Sequence, residues 1–318
     1  MQLPTKLQLA IEHEAARIGL SKLAQAATEL SANYRFRQGS REKFIATEAH
    51  RLAYVATRMP ATYAAIRAAL REVSMPIASL LDLGAGPGTA AWAATNIFPE
   101  LEHLTLIERD QNLIQLGQSF AAHADAEALR TASWCAQDLA TTTLLPPHDL
   151  VISSYALGEL PSKTARAVVQ AAWQAAGKAL VLLEPGTVKG FELIKQLRED
   201  LLQAGGHLLA PCPHDQSCPL PANDWCHFAA RVERSALHRK LKAGALGYED
   251  EKFSYLVITK APVKAATARV LRRPNVQTGF VQLELCTTEG LRSATITRRD
   301  KEAFKRARKA DWGDNWEG

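Results

Sequence analysis

Four of the five cysteines in this 318-residue chain stand where thiols could act as ligands. Cys212, Cys218 and Cys226 fall in one stretch, P-C-P-H-D-Q-S-C-P-L-P-A-N-D-W-C-H-F, and Cys286 follows in V-Q-L-E-L-C-T-T-E-G. Pro213 and Pro219 each come directly after a cysteine. A proline fixes φ and removes a donor, which stiffens the loop around the thiol. The stretch is too irregular for a helix or strand, whereas core thiols usually sit in apolar elements. A metal site accounts for it better than a set of buried thiols. No gap has the C-x2-4-C spacing of a zinc knuckle. An iron–sulfur cube tolerates looser spacing and often has a Cys-Pro neighbour. The chemistry leans to iron–sulfur and leaves zinc open, with His214 and His227 as candidate nitrogen ligands. Disulfides would need an oxidising compartment, and the sequence gives no sign of one. Cys135, in W-C-A-Q-D, is expected in the core.

A second set of residues points to a nucleotide-like ligand. Residues 78–88 read A-S-L-L-D-L-G-A-G-P-G, followed by T-A-A-W-A-A-T-N-I-F. This is strand, glycine-rich turn and helix. Asp82, Gly84, Ala85, Gly86 and Gly88 are expected to line the ligand, since glycine lets the backbone turn tightly and approach closely. Glu108, at the tip of L-T-L-I-E, is placed to accept from ribose hydroxyls. Asp138, after W-C-A-Q, is placed to meet an adenine amine. The third glycine comes one position too early for a dinucleotide fingerprint. The spacing D-L-G-A-G-P-G looks like motif I of class I methyltransferases, so the expected ligand is S-adenosylmethionine.

The residues that would carry out methyl transfer are harder to find. The position after the fourth strand reads S-S-Y-A-L-G-E-L, without the Asn/Asp-Pro-Pro-aromatic motif of amine methyltransferases. A Pro-Cys nucleophile is absent there too. Tyr155 and Glu159 face the region where a substrate would lie, with helix capping or surface exposure an equally good account of them, and no general base is assigned.

The elements that must position these groups follow from the alternation of apolar runs. D-L-V-I-S-S-Y and K-A-L-V-L-L-E-P-G read as further strands, with helices over Gln111–Ala122, Ser162–Ala176 and Thr187–Ala204. Alternating strands and helices imply a doubly wound parallel sheet. The predicted organisation has an N-terminal helical region over 1–72 and a Rossmann-like core over 73–204, with a late strand at 253–259. A cysteine-rich insertion covers 205–250. Residues 261–318 form a β-hairpin and a basic helix, with Cys286 on the hairpin.

Composition bounds the function. Hydrophobic residues make up 47% and the formal net charge is +5, which suits a globular domain and not a disordered one. No apolar run has the length of a membrane span. The first residues lack an apolar stretch and carry acids early, so a reducing cytoplasm is the expected location. Basic residues gather in three places: Lys260 to Arg273, Arg231 to Lys242, and Arg292 to Lys309. Such patches attract phosphate backbones. Arg35, Arg37, Arg41 and Lys43 either add to this surface or face solvent in a loop.

With these segments together the chain resembles the mitochondrial and bacterial methyltransferase-like proteins of small ribosomal subunit assembly. The matching stretches include R-M-P-A-T-Y, L-D-L-G-A-G-P-G-T-A, S-Y-A-L-G-E-L, L-E-P-G-T-V-K-G-F, C-P-H-D-Q-S-C-P-L, D-W-C-H-F, E-L-C-T-T-E-G and A-R-K-A-D-W-G-D. The resemblance implies a class I methyltransferase fold with a [4Fe–4S] cluster on Cys212, Cys218, Cys226 and Cys286. It also implies binding to small-subunit ribosomal RNA and the small ribosomal subunit. The chain is expected to be a monomer. The leading expectation is an assembly factor or rRNA methyltransferase. An inactive RNA-binding scaffold and a small-molecule methyltransferase with structural zinc are the alternatives.

Overall fold

Every apolar strand in the centre of this chain has to bury both faces, and the structure shows how. It is a computed structural model that describes residues 1–36, 45–142, 144–242 and 246–317, without the side chains of 33–36. Arg37, Arg41 and Lys43 lie outside the described residues, as does the side chain of Arg35.

Four helices come first: α1 (Thr5–Ile18), α2 (Leu20–Phe36), α3 (Glu48–Thr57) and α4 (Met59–Leu70). Thr47 caps α3 by accepting from His50 N–H, and Pro60 stands in the first turn of α4, where its missing donor costs nothing. Strand and helix then alternate through β1 (Ser79–Leu83), α5 (Thr89–Thr95), β2 (His103–Glu108), α6 (Gln111–Ala121), α7 (Glu127–Arg130), β3 (Ser133–Ala136) and β4 (His148–Ser154). They continue through α8 (Ser162–Ala175), β5 (Ala176–Pro185), α9 (Val188–Gln203) and β6 (His207–Ala210). The chain closes the main sheet with β7 (Phe228–Glu233), α10 (Ala236–Lys242) and β8 (Tyr248–Thr259).

The strand order is β3-β2-β1-β4-β5-β8-β6, with β7 on the other part of β8. Strands β1 to β5 pair in parallel, while β8 runs antiparallel to β5, β6 and β7. This is the class I methyltransferase arrangement, a Rossmann-like sheet with one reversed strand near its edge. Residues 205–250 supply β6, β7 and α10, and both strands join the main sheet through β8.

Period-two alternation sorts the strand residues into two layers. Leu80, Ile152, Val181 and Leu183 face the N-terminal helices and α5. Leu81, Val151, Leu180 and Leu182 face α8 and α9. Near-continuous apolar runs are what a parallel strand covered on both sides requires.

The C-terminal part forms a second sheet of β9 (Ala268–Val270), β10 (Asn275–Val276), β11 (Phe280–Thr287) and β12 (Gly290–Thr297), followed by α11 (Lys301–Ala307). Cys286 on β11 is opposite Leu291 on β12 and Arg269 on β9. The sheet packs on α11 through a small separate core that includes Val281, Leu283, Phe304 and Trp316.

Candidate functional site

Parallel sheets bind ligands beyond the carboxyl ends of their strands, where the order reverses. Here that point lies between β1 and β4. The turn after β1 touches the turn after β4: a Cβ built on Gly84 would meet the Ala156 Cβ at 2.5 Å. Gly84, Gly86 and Gly88 all have positive φ, a conformation other residues adopt only under strain. At Gly86 the space a Cβ would enter is open, so this position leaves room for a ligand against the backbone.

Two carboxylates flank the turn. Glu108 accepts from Gly86 N–H through Oε2 (2.9 Å) and from Arg109 and Asp110 N–H through Oε1 (2.8 and 2.9 Å). A carboxylate has about four acceptor sites, so about one is left for a hydroxyl. Asp82 is fully buried, and neither carboxyl oxygen has a hydrogen-bond partner among the described residues. Burial, and then the charge of Glu108, pushes its carboxyl up to about 8. A buried, unsatisfied acid beside an open glycine turn suits a cationic ligand. Asp138 accepts from Ala140 N–H and so holds the loop after β3.

At the end of β4 the backbone itself is unusual. Tyr155 has φ 59°, the one non-glycine residue with positive φ among those described. Its phenol lies within electrostatic reach of Glu251, Arg58 and Glu184, and burial keeps it well above the usual tyrosine range. Arg58 and Glu251 form an ion pair (3.1 Å). Glu184, at the end of β5, accepts from Gly158 N–H (3.1 Å), and burial pushes its carboxyl up to about 7. Glu159 is exposed and pairs with Arg109 (3.7 Å). Sequence patterns point to Tyr155 and Glu159 but miss Glu184, Arg58 and Glu251, which come from three other segments.

The cysteines form the second site. Cys212, Cys218, Cys226 and Cys286 line one cavity together with His214, Arg198, Arg269, Pro219 and Ser254. Cys212 follows β6, Cys226 precedes β7, and Cys286 comes from the other sheet. Burial pushes the Cys286 thiol up to about 12, with further upward pressure from Cys212 and Cys218. Cys226 is raised well above its usual value by burial and then by the other three. Thiols placed this way repel one another's charge, and only a cation among them makes the thiolate form favourable. Among the described residues, no three His, Cys, Asp or Glu side chains are arranged to hold a single metal ion.

The surrounding loops are tied down by specific bonds. Ser254 Oγ donates to Cys226 O (2.8 Å), and Trp225 Nε1 donates to Gly186 O (3.1 Å). His214 Nε2 lies 3.6 Å from Cys286 Sγ. His227 lies elsewhere, stacked on Trp225 and edge-on to Trp312. Cys135 packs against the α8–α9 side of the core.

Two of the three basic patches are largely engaged inside the molecule. Arg231 pairs with Asp250, and Arg234 and Lys242 pair with Glu249. Arg269 is buried against Glu72, and Arg272 pairs with Asp224. Along the C-terminal tail Arg298, Arg299, Lys305 and Arg306 are exposed.

Residues 48–317 match the family described as mitochondrial small ribosomal subunit Rsm22. The chain belongs to that family. It is 28% identical over 295 residues to the human mitochondrial ribosome assembly protein METTL17, covering 84% of this chain and 62% of the human protein. It is 26% identical over 328 residues to Rsm22-cox11 tandem protein 2, mitochondrial, of Schizosaccharomyces pombe, covering 84% of this chain and 43% of the yeast protein. The Rsm22-family chain thus spans less than two thirds of either relative. Magnesium protoporphyrin IX methyltransferase of Synechocystis with bound S-adenosylmethionine is similar at 13% identity and a TM-score of 0.41, over 73% of this chain and 93% of that one. The fold assignment rests on the strand order of the main sheet.

The expectation of a cytoplasmic location is corrected by these matches. The family and both relatives are described as mitochondrial, and lack of a leader-like pattern in the first residues does not identify a compartment. Among the described residues no helix is long and apolar enough to cross a membrane.

Proposed function

We propose that this chain acts in small ribosomal subunit assembly, binding S-adenosylmethionine at the β1–β4 switch point and a [4Fe–4S] cluster on Cys212, Cys218, Cys226 and Cys286. The observation that carries the reading is the convergence of four thiols, three from the loop between β6 and β7 and one from the second sheet, on one cavity. A zinc ion needs its ligands on one point. A cube binds each thiolate to a different iron, so the ligands surround a volume instead. The loose cysteine spacing, without a C-x2-4-C pair and with Pro213 and Pro219 next to Cys212 and Cys218, favours iron–sulfur over the zinc alternative.

Asp82, Gly84, Ala85, Gly86, Gly88, Glu108 and Asp138 would hold S-adenosylmethionine. That cofactor supplies an electrophilic methyl group and positive charge. Asp82 would offer its unpaired carboxylate to that charge, Gly86 would let the backbone close on the ligand, and Glu108 would use its remaining acceptor site on a ribose hydroxyl. No residue is assigned as a general base. Glu184 and Tyr155 stand where an acceptor would lie, and their burial fits a positioned substrate equally with a binding-only site.

The cluster would fix the small second sheet against the main one, and the exposed basic tail would then meet small-subunit ribosomal RNA. Counterion release by Arg298, Arg299, Lys305 and Arg306 would supply sequence-independent affinity. Calorimetric titration with S-adenosylmethionine, followed by mass mapping of rRNA from a strain lacking the protein, tests the two halves. Binding without a missing methyl group leaves an assembly scaffold; a missing methyl group makes it an enzyme; no binding overturns the cofactor assignment.

A further inference from the structure

Helix α9 should present an apolar stripe to the core, and it does so through Phe191, Ile194, Leu197 and Leu201. Arg198 falls on the same buried face and is only 4% exposed. A guanidinium there is costly unless something compensates it. Its Nη2 donates to His214 O (2.9 Å) and Gln216 O (2.7 Å), pinning the loop between Cys212 and Cys218 to the helix. Its Nε is buried and has no hydrogen-bond partner among the described residues. The two acceptors that Nη2 reaches are carbonyls, which carry no full charge. The other buried arginine of the cavity, Arg269, is neutralised by Glu72. Arg198 lines the same cavity as the four thiols.

We propose that Arg198 is a positioning residue for the iron–sulfur cluster, its guanidinium supplying the countercharge and its Nε–H a hydrogen bond on the Cys212 side of the cavity. This rests on the reading that the four thiols hold such a cluster. A thiolate-ligated cluster is anionic, and hydrogen bonds to its sulfurs and nearby charge set its potential. A cation within the same dry cavity favours the electron-richer form and holds the ligand loop closed at the same time.

The test is spectroelectrochemical titration of the anaerobically purified full chain and of Arg198→Gln and Arg198→Lys, with cluster loss to a chelator followed in the visible. Arg198→Gln is expected to lower the midpoint potential by the equivalent of about a tenfold change in the reduced-to-oxidised ratio, about 59 mV for one electron. It is also expected to lose its cluster several-fold faster. Arg198→Lys keeps the charge and should recover most of the potential, but not the slow loss, because one ammonium cannot stand both at the two carbonyls that Nη2 reaches and at the separate position of Nε–H. A parental potential and a parental rate of loss in Arg198→Gln overturn the proposal while leaving the cluster in place. If Arg198→Gln does not fold, Arg198→Lys with a native far-UV spectrum and a parental loss rate overturns it. A parent chain with neither iron nor sulfide removes the cluster reading itself, and this proposal with it.

Discussion

Arg269 Nη1 and Glu72 Oε1 lie 2.7 Å apart in an ion pair whose arginine is 1% exposed. Glu72 follows α4, and Arg269 is on β9 of the second sheet. The same guanidinium donates to Pro211 O, beside Cys212, and to Gly313 O, in the C-terminal Trp-Gly-Asp. Tyr255 OH also donates to Glu72 (3.3 Å). One side chain therefore joins the N-terminal helices, the cysteine loop and the C-terminal module.

Removing one partner of such a pair leaves the other buried and uncompensated. Arg269→Met is expected to cost roughly 3–5 kcal/mol in denaturant unfolding, with the second sheet opening first in hydrogen exchange. Unfolding of that variant with unchanged midpoint and slope would show that the pair is not a staple.

Asp82 should make stability depend on pH. Its folded-state value, about 8, lies above the ordinary 3.8, so the folded chain without cofactor holds a proton that the unfolded chain gives up. Stability contributed by that proton is present below about pH 4 and is lost as pH rises towards 8, at up to about 1.4 kcal/mol per pH unit. Asp82→Asn should abolish this slope and make the cofactor-free protein more stable than the parent at pH 8, while weakening S-adenosylmethionine binding. Parallel stability curves for parent and variant between pH 5 and 8 would contradict the assignment of Asp82 as a buried, unpaired acid.

The two glycines at the switch point should separate folding from binding. Gly84→Ala places a Cβ 2.5 Å from Ala156 at positive φ, and should lower the melting temperature. At Gly86 an added Cβ meets no protein atom within 4 Å, so the folding cost of Gly86→Val is mainly the strained φ, about 1–3 kcal/mol. It should reduce S-adenosylmethionine affinity at least tenfold by calorimetry. Equal affinity in Gly86→Val and parent would move the ligand away from this turn.

What the sequence disclosed and what it hid have a common cause. The turn from Asp82 to Gly88 was legible because its glycines and its strand–helix flanks are local. The pattern around Cys212, Cys218 and Cys226 was legible because thiols in irregular, proline-stiffened loops have no apolar element to pack into. Two of the three basic stretches are largely taken up by partners that their spacing does not show, because Arg231 finds Asp250 and Arg234 finds Glu249 from the neighbouring β8, and Arg269 finds Glu72 from the turn after α4. Arg198 left one trace, a charged residue on an apolar helix face, but its partners are carbonyls of a later loop. The residues gathered around Tyr155 come from four segments that no spacing rule connects.

The basic tail offers a salt test. Neutralising Arg298, Arg299, Lys305 and Arg306 together should weaken small-subunit rRNA binding and flatten its log–log salt dependence by up to about one unit per lost phosphate contact. Cys286→Ser should weaken binding by disordering the sheet beside the tail. An unchanged affinity and slope in both proteins would take away the main physical support for an RNA-binding role.

Metal and sulfide analysis of the anaerobically purified chain tests the central claim most directly. The parent is expected to be brown, with about four irons and four sulfides per chain. Cys212→Ser, Cys218→Ser, Cys226→Ser and Cys286→Ser should each lose the colour, and Cys135→Ser should keep it. A colourless parent holding one zinc ion per chain would contradict the account.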